Sequence, residues 1–487
     1  MQDWKFKQRD DLAWYNCADV DATLQIFLAL YPALKGQGLL DLYLYEVVPT
    51  AKICKLLSLT GIKKDPKRIE KVRGEVLAEI AEIEARLPNE LKPYDKPIRV
   101  RQPAPPGTLG KSGKPVKFIH VPGTKRIVPW QSSKEVERFL YETKKLPVQL
   151  HVKTKRVSTD KTALDRLVRK YPQHRFLDDL RKVRSLDELV STFVKESNSG
   201  PSRIHANFLV HGTATGRLAS SGPNMQNIPV RARYAFVPSH ADWCFVNADF
   251  SSLENRLCAW YANDTERLAQ MSDPTFNEHK VLCSKIYGMP VSEVDKGSWQ
   301  YKRAKNTNHG ADGALGPKRL SETYDIPFKE AKELILGWKA LHPKAAAWQE
   351  EVGNQAGKLG VLVNAFGRKR WFWTSSAYTE GIRFLPQSTG ADICLRSLVG
   401  LSYERIGWPE EWARIASPVL APLPVPARIV LTVHDSILVE CPQSLTEEVS
   451  NCLTKVMTQP WEQLAGFSIP IAIQVGDPNQ SWGELKD

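Results

Sequence analysis

Val246-Asn247-Ala248-Asp249-Phe250-Ser251-Ser252-Leu253-Glu254-Asn255-Arg256 is the stretch around which the rest of this chain is organised. The apolar run 244–248 is flanked by turn formers and ends on a carboxylate, with Glu254 and Arg256 close behind. That pattern predicts a buried strand delivering Asp249 to its own end. A desolvated carboxylate is costly unless positive charge meets it, and a divalent cation is the usual partner. For a lone Asp, a solvated strand terminus explains the pattern equally well.

A matching element lies far downstream. Ile429-Val-Leu-Thr-Val433-His434-Asp435-Ser436-Ile-Leu-Val439 is two β-rich runs broken by a polar tip, which predicts a hairpin. Two strand ends, each offering one Asp, can share a pair of Mg²⁺ ions; without cations the carboxylates repel. The first stretch resembles motif A, and Val433-His434-Asp435 motif C, of the family A DNA polymerases. The resemblance implies Asp249 and Asp435 as catalytic metal ligands, with the Phe250 carbonyl a further ligand. Two Mg²⁺ ions are implied, with Mn²⁺ as a substitute. Glu254 is then expected to close the pocket against a ribose 2′-OH, and Arg256 and His434 to meet DNA.

Composition agrees. The 487 residues carry a formal net charge of +13, which favours a polyanionic partner, although a solvated basic surface would give the same number. With 42% hydrophobic residues, a chain of this length builds more than one domain. The eight cysteines follow no C-x-x-C spacing, so neither a zinc site nor a disulfide framework is indicated. The N-terminus lacks an apolar signal region and no window approaches a membrane span, so a soluble monomer without a membrane partner is expected, in the cytoplasm of a bacterium or phage-infected cell.

In chain order, Trp14 to Ile26 is helical in pattern, with Tyr15 and Asp19 four apart on one face. It resembles the last motif of a 3′–5′ exonuclease. The other two motifs would lie upstream, so no proofreading is expected and the chain reads as a fragment or a truncated form. Asp65-Pro66 opens a helix, with Ile69, Val72, Val76, Ile80 and Ile83 along one face. From Lys96 to Arg126 the texture is Pro, Gly and basic residues, among them Lys111 and Lys114, without Asp or Glu, and is read as flexible loop able to track phosphates. The segment from Trp130 through Lys153 to Leu186 is similar to the family's thumb.

His211-Gly-Thr-Ala-Thr215-Gly216-Arg217-Leu and Pro223-Asn224-Met-Gln226-Asn227-Ile-Pro229 combine one Arg with side-chain amides, groups that can bond minor-groove acceptors present at every base pair. They resemble the family's T-G-R-L…P-N-x-Q-N-I-P signature, which implies that Arg217, Gln226 and Asn227 contact DNA and that Arg231 lies near the triphosphate. His279 is similar to a phosphate-contacting His. Tyr301-Lys-Arg303-Ala-Lys305-Asn-Thr-Asn-His309-Gly-Ala-Asp-Gly313 resembles motif B, with positions 301, 305, 309 and 313 sharing one helical face. Lys305 can neutralise triphosphate oxygens and His309 can stack on the nascent pair. Tyr301 replaces a common Arg, and Gly313 a common Tyr. Gln387 is expected at the template strand, while Arg383 stands where Asn is frequent.

The resemblance therefore implies an α+β right-hand polymerase: an antiparallel palm sheet, a helical thumb and helical fingers. The expected division is an exonuclease remnant (1–30), lead-in helices and thumb (31–205), palm (206–270), fingers (271–375) and palm again (376–487). Partners are primer-template DNA and deoxynucleoside triphosphates, with room for a processivity factor. A single-subunit RNA polymerase or reverse transcriptase, and a non-catalytic DNA-binding relative, are the alternatives.

Overall fold

The Cys244–Ala248 run forms the central part of the strand Trp243–Phe250, buried along its length except at Asn247 and Asp249. The computed structural model describes residues 9–105, 108, 117–151, 154–195, 202–273, 275–324 and 326–485. Lys111, Lys114 and Lys153 lie outside them.

Two compact units are present. The first holds residues 1–64, 201–228 and 236–487, and the second 65–200 and 229–235. Residues 31–64 thus cluster with the sheet, a different first boundary from the one the sequence suggests.

In the first unit, four antiparallel strands run in the order Arg428–Val433, Ser436–Pro442, Trp243–Phe250, Ile471–Val475. The first two form the expected hairpin, closed by a two-residue tip, His434-Asp435. His434 has φ +56°, which suits the primed turns that match strand twist. The helix Ala377–Ser402 is buried almost throughout although Asp392, Arg396 and several hydroxyls lie within it, and these polar groups find partners inside the fold, as burial demands. A separate core gathers Leu282, Tyr301, Leu320, Leu334 and Trp338 beneath the helix Trp299–Asp312.

The second unit is built on the helix Pro66–Arg86. Asp65 caps it, its Oδ1 accepting from the Arg68 amide at 2.9 Å, and Ile69, Val72, Val76, Ile80 and Ile83 are all buried. Trp130 is buried against it and donates to Glu84 at 3.0 Å. Residues 94–103 and 118–127 are not loop, as their composition suggested, but a ten-pair antiparallel ribbon from Tyr94↔Ile127 to Pro103↔Phe118. Propensity mispredicts them because pairing across a long connection overrides Pro and Gly content.

A second correction concerns the helix Arg9–Gly36. Within Asp11–Gly36 an 18-residue window reaches a mean hydropathy of 1.2 and is unburied, so one helix is long and apolar enough to cross a membrane. The acids at 11, 19 and 21 mask this in the sequence, but the run from 22 to 34 carries no charge.

Candidate functional site

Strand register sets the centre of the site. Ser436 pairs with Asp249, and the Phe250 amide donates to the Asp435 carbonyl at 3.4 Å, so the two carboxylate-bearing residues occupy adjacent strand ends. Asp249 is exposed and Asp435 partly buried. Burial pushes the Asp435 carboxyl up, opposed by Arg217 and His434 and reinforced by Glu254. Cys394 is 7% exposed, and its thiol is held well above its usual range by burial first, with Asp435 and Asp249 adding and Arg217 opposing.

Among the described residues, no group of three or more His, Cys, Asp and Glu forms a metal cluster. Two carboxylates and a backbone carbonyl nevertheless suit Mg²⁺, which takes one or two protein carboxylates and completes its shell from phosphates and water.

Arg217 follows Gly216, whose φ of +83° favours glycine; a Cβ there would stand 2.6 Å from the Arg368 guanidinium. The Arg217 Nη2 lies 3.3 Å from Glu254 Oε2. Arg368 is itself fixed by Asp392 and Glu46, both fully buried, with Arg396 completing the cluster at 2.8 Å from Glu46.

Gln226 is 9% exposed, and both ends of its amide meet the motif C hairpin: Nε2 donates to the Thr432 carbonyl at 2.9 Å, and Oε1 accepts from the His434 amide at 2.9 Å. The residue expected at the minor groove is thus bonded to the His434-Asp435 hairpin tip, while neighbouring Asn227 is exposed. Arg256, expected to face DNA, is 7% exposed and donates to the Ser251 and Met271 carbonyls. Burial favours this internal use, since a desolvated guanidinium needs acceptors close by. Arg231 lies in the second unit, 2.6 Å from Glu79.

On the helix Trp299–Asp312, Lys305 and His309 are exposed, but Tyr301, predicted on their face, is buried. Its hydroxyl accepts from Asn277 Nδ2 at 3.3 Å and its ring lies 6.1 Å from that of His279. His279 sits 5.1 Å from the His309 ring and 2.9 Å from Asn308 Nδ2. Burial, then His309, with Lys305 adding, brings His279 down to about 4, and burial with Lys305 also lowers His309. Both rings are thus shifted toward the neutral form. Gln387 is half-buried on the helix Ala377–Ser402, one turn beyond Arg383, whose Nε donates to the Gly313 carbonyl at 2.5 Å.

Sequence reading missed Arg267, 2% exposed, which forms a bidentate pair with Asp312 (3.0 and 2.9 Å) and meets Glu278 at 2.6 Å. No local signal announces it, because the partners are 45 and 11 residues away.

The fold is that of the α+β right-hand polymerases. Among solved structures, the POL domain of Pol1 from M. smegmatis, in complex with DNA primer-template and dNTP, matches with a TM-score of 0.68 at 22% identity, over 94% of this chain and 74% of that one. This chain belongs to DNA polymerase family A, whose model matches residues 121–484. It is 30% identical over 365 residues to the thermostable DNA polymerase I of Thermus thermophilus (71% of this chain, 40% of the relative). To that of Thermus aquaticus it is 27% identical over 485 residues (95% and 51%), and to DNA polymerase I of Geobacillus stearothermophilus 26% over 444 (87% and 44%). The chain spans about half or less of the length of these relatives.

Proposed function

We propose that the chain is a template-directed DNA polymerase that adds deoxynucleotides to a primer 3′-OH. The observation that carries this is the register placing Asp249 and Asp435 at neighbouring strand ends. Asp249 and Asp435, with the Phe250 carbonyl, would hold two Mg²⁺ ions, which when bound lower the pKa of the attacking hydroxyl and neutralise the leaving pyrophosphate. Lys305 brings the positive charge to the triphosphate. His279 and His309, neutral, act as hydrogen-bond donor and stacking ring respectively. Glu254, beside Arg217, occupies the space a ribose 2′-OH would need. Gln226 positions the His434 tip, leaving Arg217, Asn227 and His434 for the primer end and minor groove, and Gln387 for the template. Arg256 supports the end of the Asp249 strand through the Ser251 carbonyl.

In this reading residues 206–270 and 376–487 serve as palm, 271–375 as fingers and 65–200 as thumb. The chain's own residues do not proofread: Tyr15 and Asp19 lie on an exposed stretch of helix.

Extension of a labelled primer with Mg²⁺ tests the reading, using deoxynucleotides and then ribonucleotides, beside Asp435→Asn. Deoxynucleotide-dependent extension that falls by about 10³-fold in the variant, with duplex binding retained, is expected. Preference for ribonucleotides would point to an RNA polymerase; binding without extension by the parent would leave a DNA-binding module. Loss of label from the primer in the absence of nucleotides would overturn the absence of proofreading.

A further inference from the structure

The ribbon formed by Tyr94–Pro103 and Phe118–Ile127 takes no part in the chemistry proposed above. Ten pairs make it roughly 33 Å long. Cross-strand partners share a face, so Arg99, Arg101 and Arg126 lie on one side, and the pair Lys96↔Lys125 on the other with Ile98, Val100 and Val121. All five cations are exposed, as is Lys117 just before the second strand. Against them stands a single carboxylate, Asp95.

Three details say what such a surface accepts. Lys96 and Lys125 face each other directly, an arrangement that destabilises a ribbon unless an anion lies between them, and among the described residues neither pairs with a carboxylate. Arg101 lies over the Phe118 ring at 3.9 Å, which steadies the guanidinium in an extended pose, and Arg126 ties the ribbon's base to Glu84 at 3.1 Å while remaining 64% exposed. Pro97, Pro103 and Pro122 interrupt both outer edges and oppose the addition of a third strand. Charge also protects edges from aggregation, but either sign serves that purpose; here six cations meet one acid.

We propose that the ribbon is a sequence-independent docking surface for the phosphate backbone of duplex DNA, keeping the chain on its primer-template through successive additions. The arginine-bearing face offers no side-chain amide for base reading, so its contacts are electrostatic. Processivity rests on the polymerase reading above; duplex binding does not.

The test compares the full chain with K96A/R99A/R101A/K125A and with the charge-retaining K96R/K125R. The quadruple variant is expected to bind a blunt duplex about 30-fold more weakly, with the slope of log affinity against log salt reduced by roughly 3–4. Product length per encounter, measured with a trap, should fall while the single-turnover insertion rate from pre-bound complex stays constant, an effect that misfolding does not produce. K96R/K125R should match the parent. Unchanged duplex affinity and slope in a folded quadruple variant would overturn the proposal, as would an equal loss on single-stranded DNA alone. If the parent fails to extend primers but the duplex affinities differ as stated, the polymerase reading falls and the docking surface stands.

Discussion

At position 313 the backbone itself places no demand on the side chain: Gly313 has φ −84°, a value any residue adopts. What excludes a larger residue is Arg383, whose Nε would lie 3.4 Å from a Cβ built there and which already donates to the Gly313 carbonyl. Alanine fits at that distance, whereas an aromatic ring extending beyond Cβ meets the guanidinium. A ring at 313 and the guanidinium at 383 would therefore compete for one space. Gly313→Tyr is expected to lower kcat/KM for single-nucleotide insertion about tenfold, and adding Arg383→Asn to recover most of it. That corresponds to a coupling of ~1 kcal/mol or more in a double-mutant cycle. Additive effects of the two substitutions would show that the residues do not share a space.

Between elements, a buried charge network joins the helices Thr265–Ser272, Glu278–Tyr287 and Trp299–Asp312. Arg267 is its centre. Burial raises Asp312 to about 6 against the pull of Arg267, whereas Glu278, which burial alone would drive up, is brought below its usual value by Arg267. His342, 6% exposed and 3.4 Å from Glu278, is lowered to about 4, by burial first and Arg267 second. A histidine held below its unfolded value of 6.5 contributes stability that is complete above pH 6.5 and is lost as pH falls toward 4. Asp312 opposes this, since the folded state binds its proton more tightly. His342→Phe isolates the histidine: the parent should lose on the order of 2 kcal/mol more than the variant between pH 7 and pH 5 in urea titrations. Parallel pH profiles would show that His342 does not titrate with folding.

These elements differ in how far sequence reveals them. The helix Pro66–Arg86 was legible because cap, first-turn proline and apolar face lie within 21 residues. The Asp249 and Asp435 strands were legible because each is a short apolar run with a polar end. The ribbon and the ion networks were not: Tyr94 finds Ile127, and Glu46 finds Arg368 across 322 positions, and neither partner alters the local pattern of the other. Gln226 and Arg256 show the same gap within the site, since residue type suggests what a side chain can bond and only packing decides what it does bond.

Across the whole molecule, the 67 Lys and Arg side chains overstate the cations available to a polyanion. Arg267 and Arg303 are spent on Asp312 and Glu330, and Arg368 and Arg396 converge on Glu46, so these cations hold the fold together and release no counterions from DNA. Lys96, Arg99, Arg101, Lys117, Lys125 and Lys305 are exposed and enter no ion pair among the described residues. Duplex affinity should therefore respond to salt as a handful of phosphate contacts does. If 6–10 are made, affinity falls by about 10³–10⁵ between 50 and 200 mM salt, with a log–log slope near −0.9 per contact. The measurement is a titration of labelled duplex at several salt concentrations. A slope near −2 would mean that base and minor-groove contacts dominate, and would count against phosphate neutralisation as the main source of affinity.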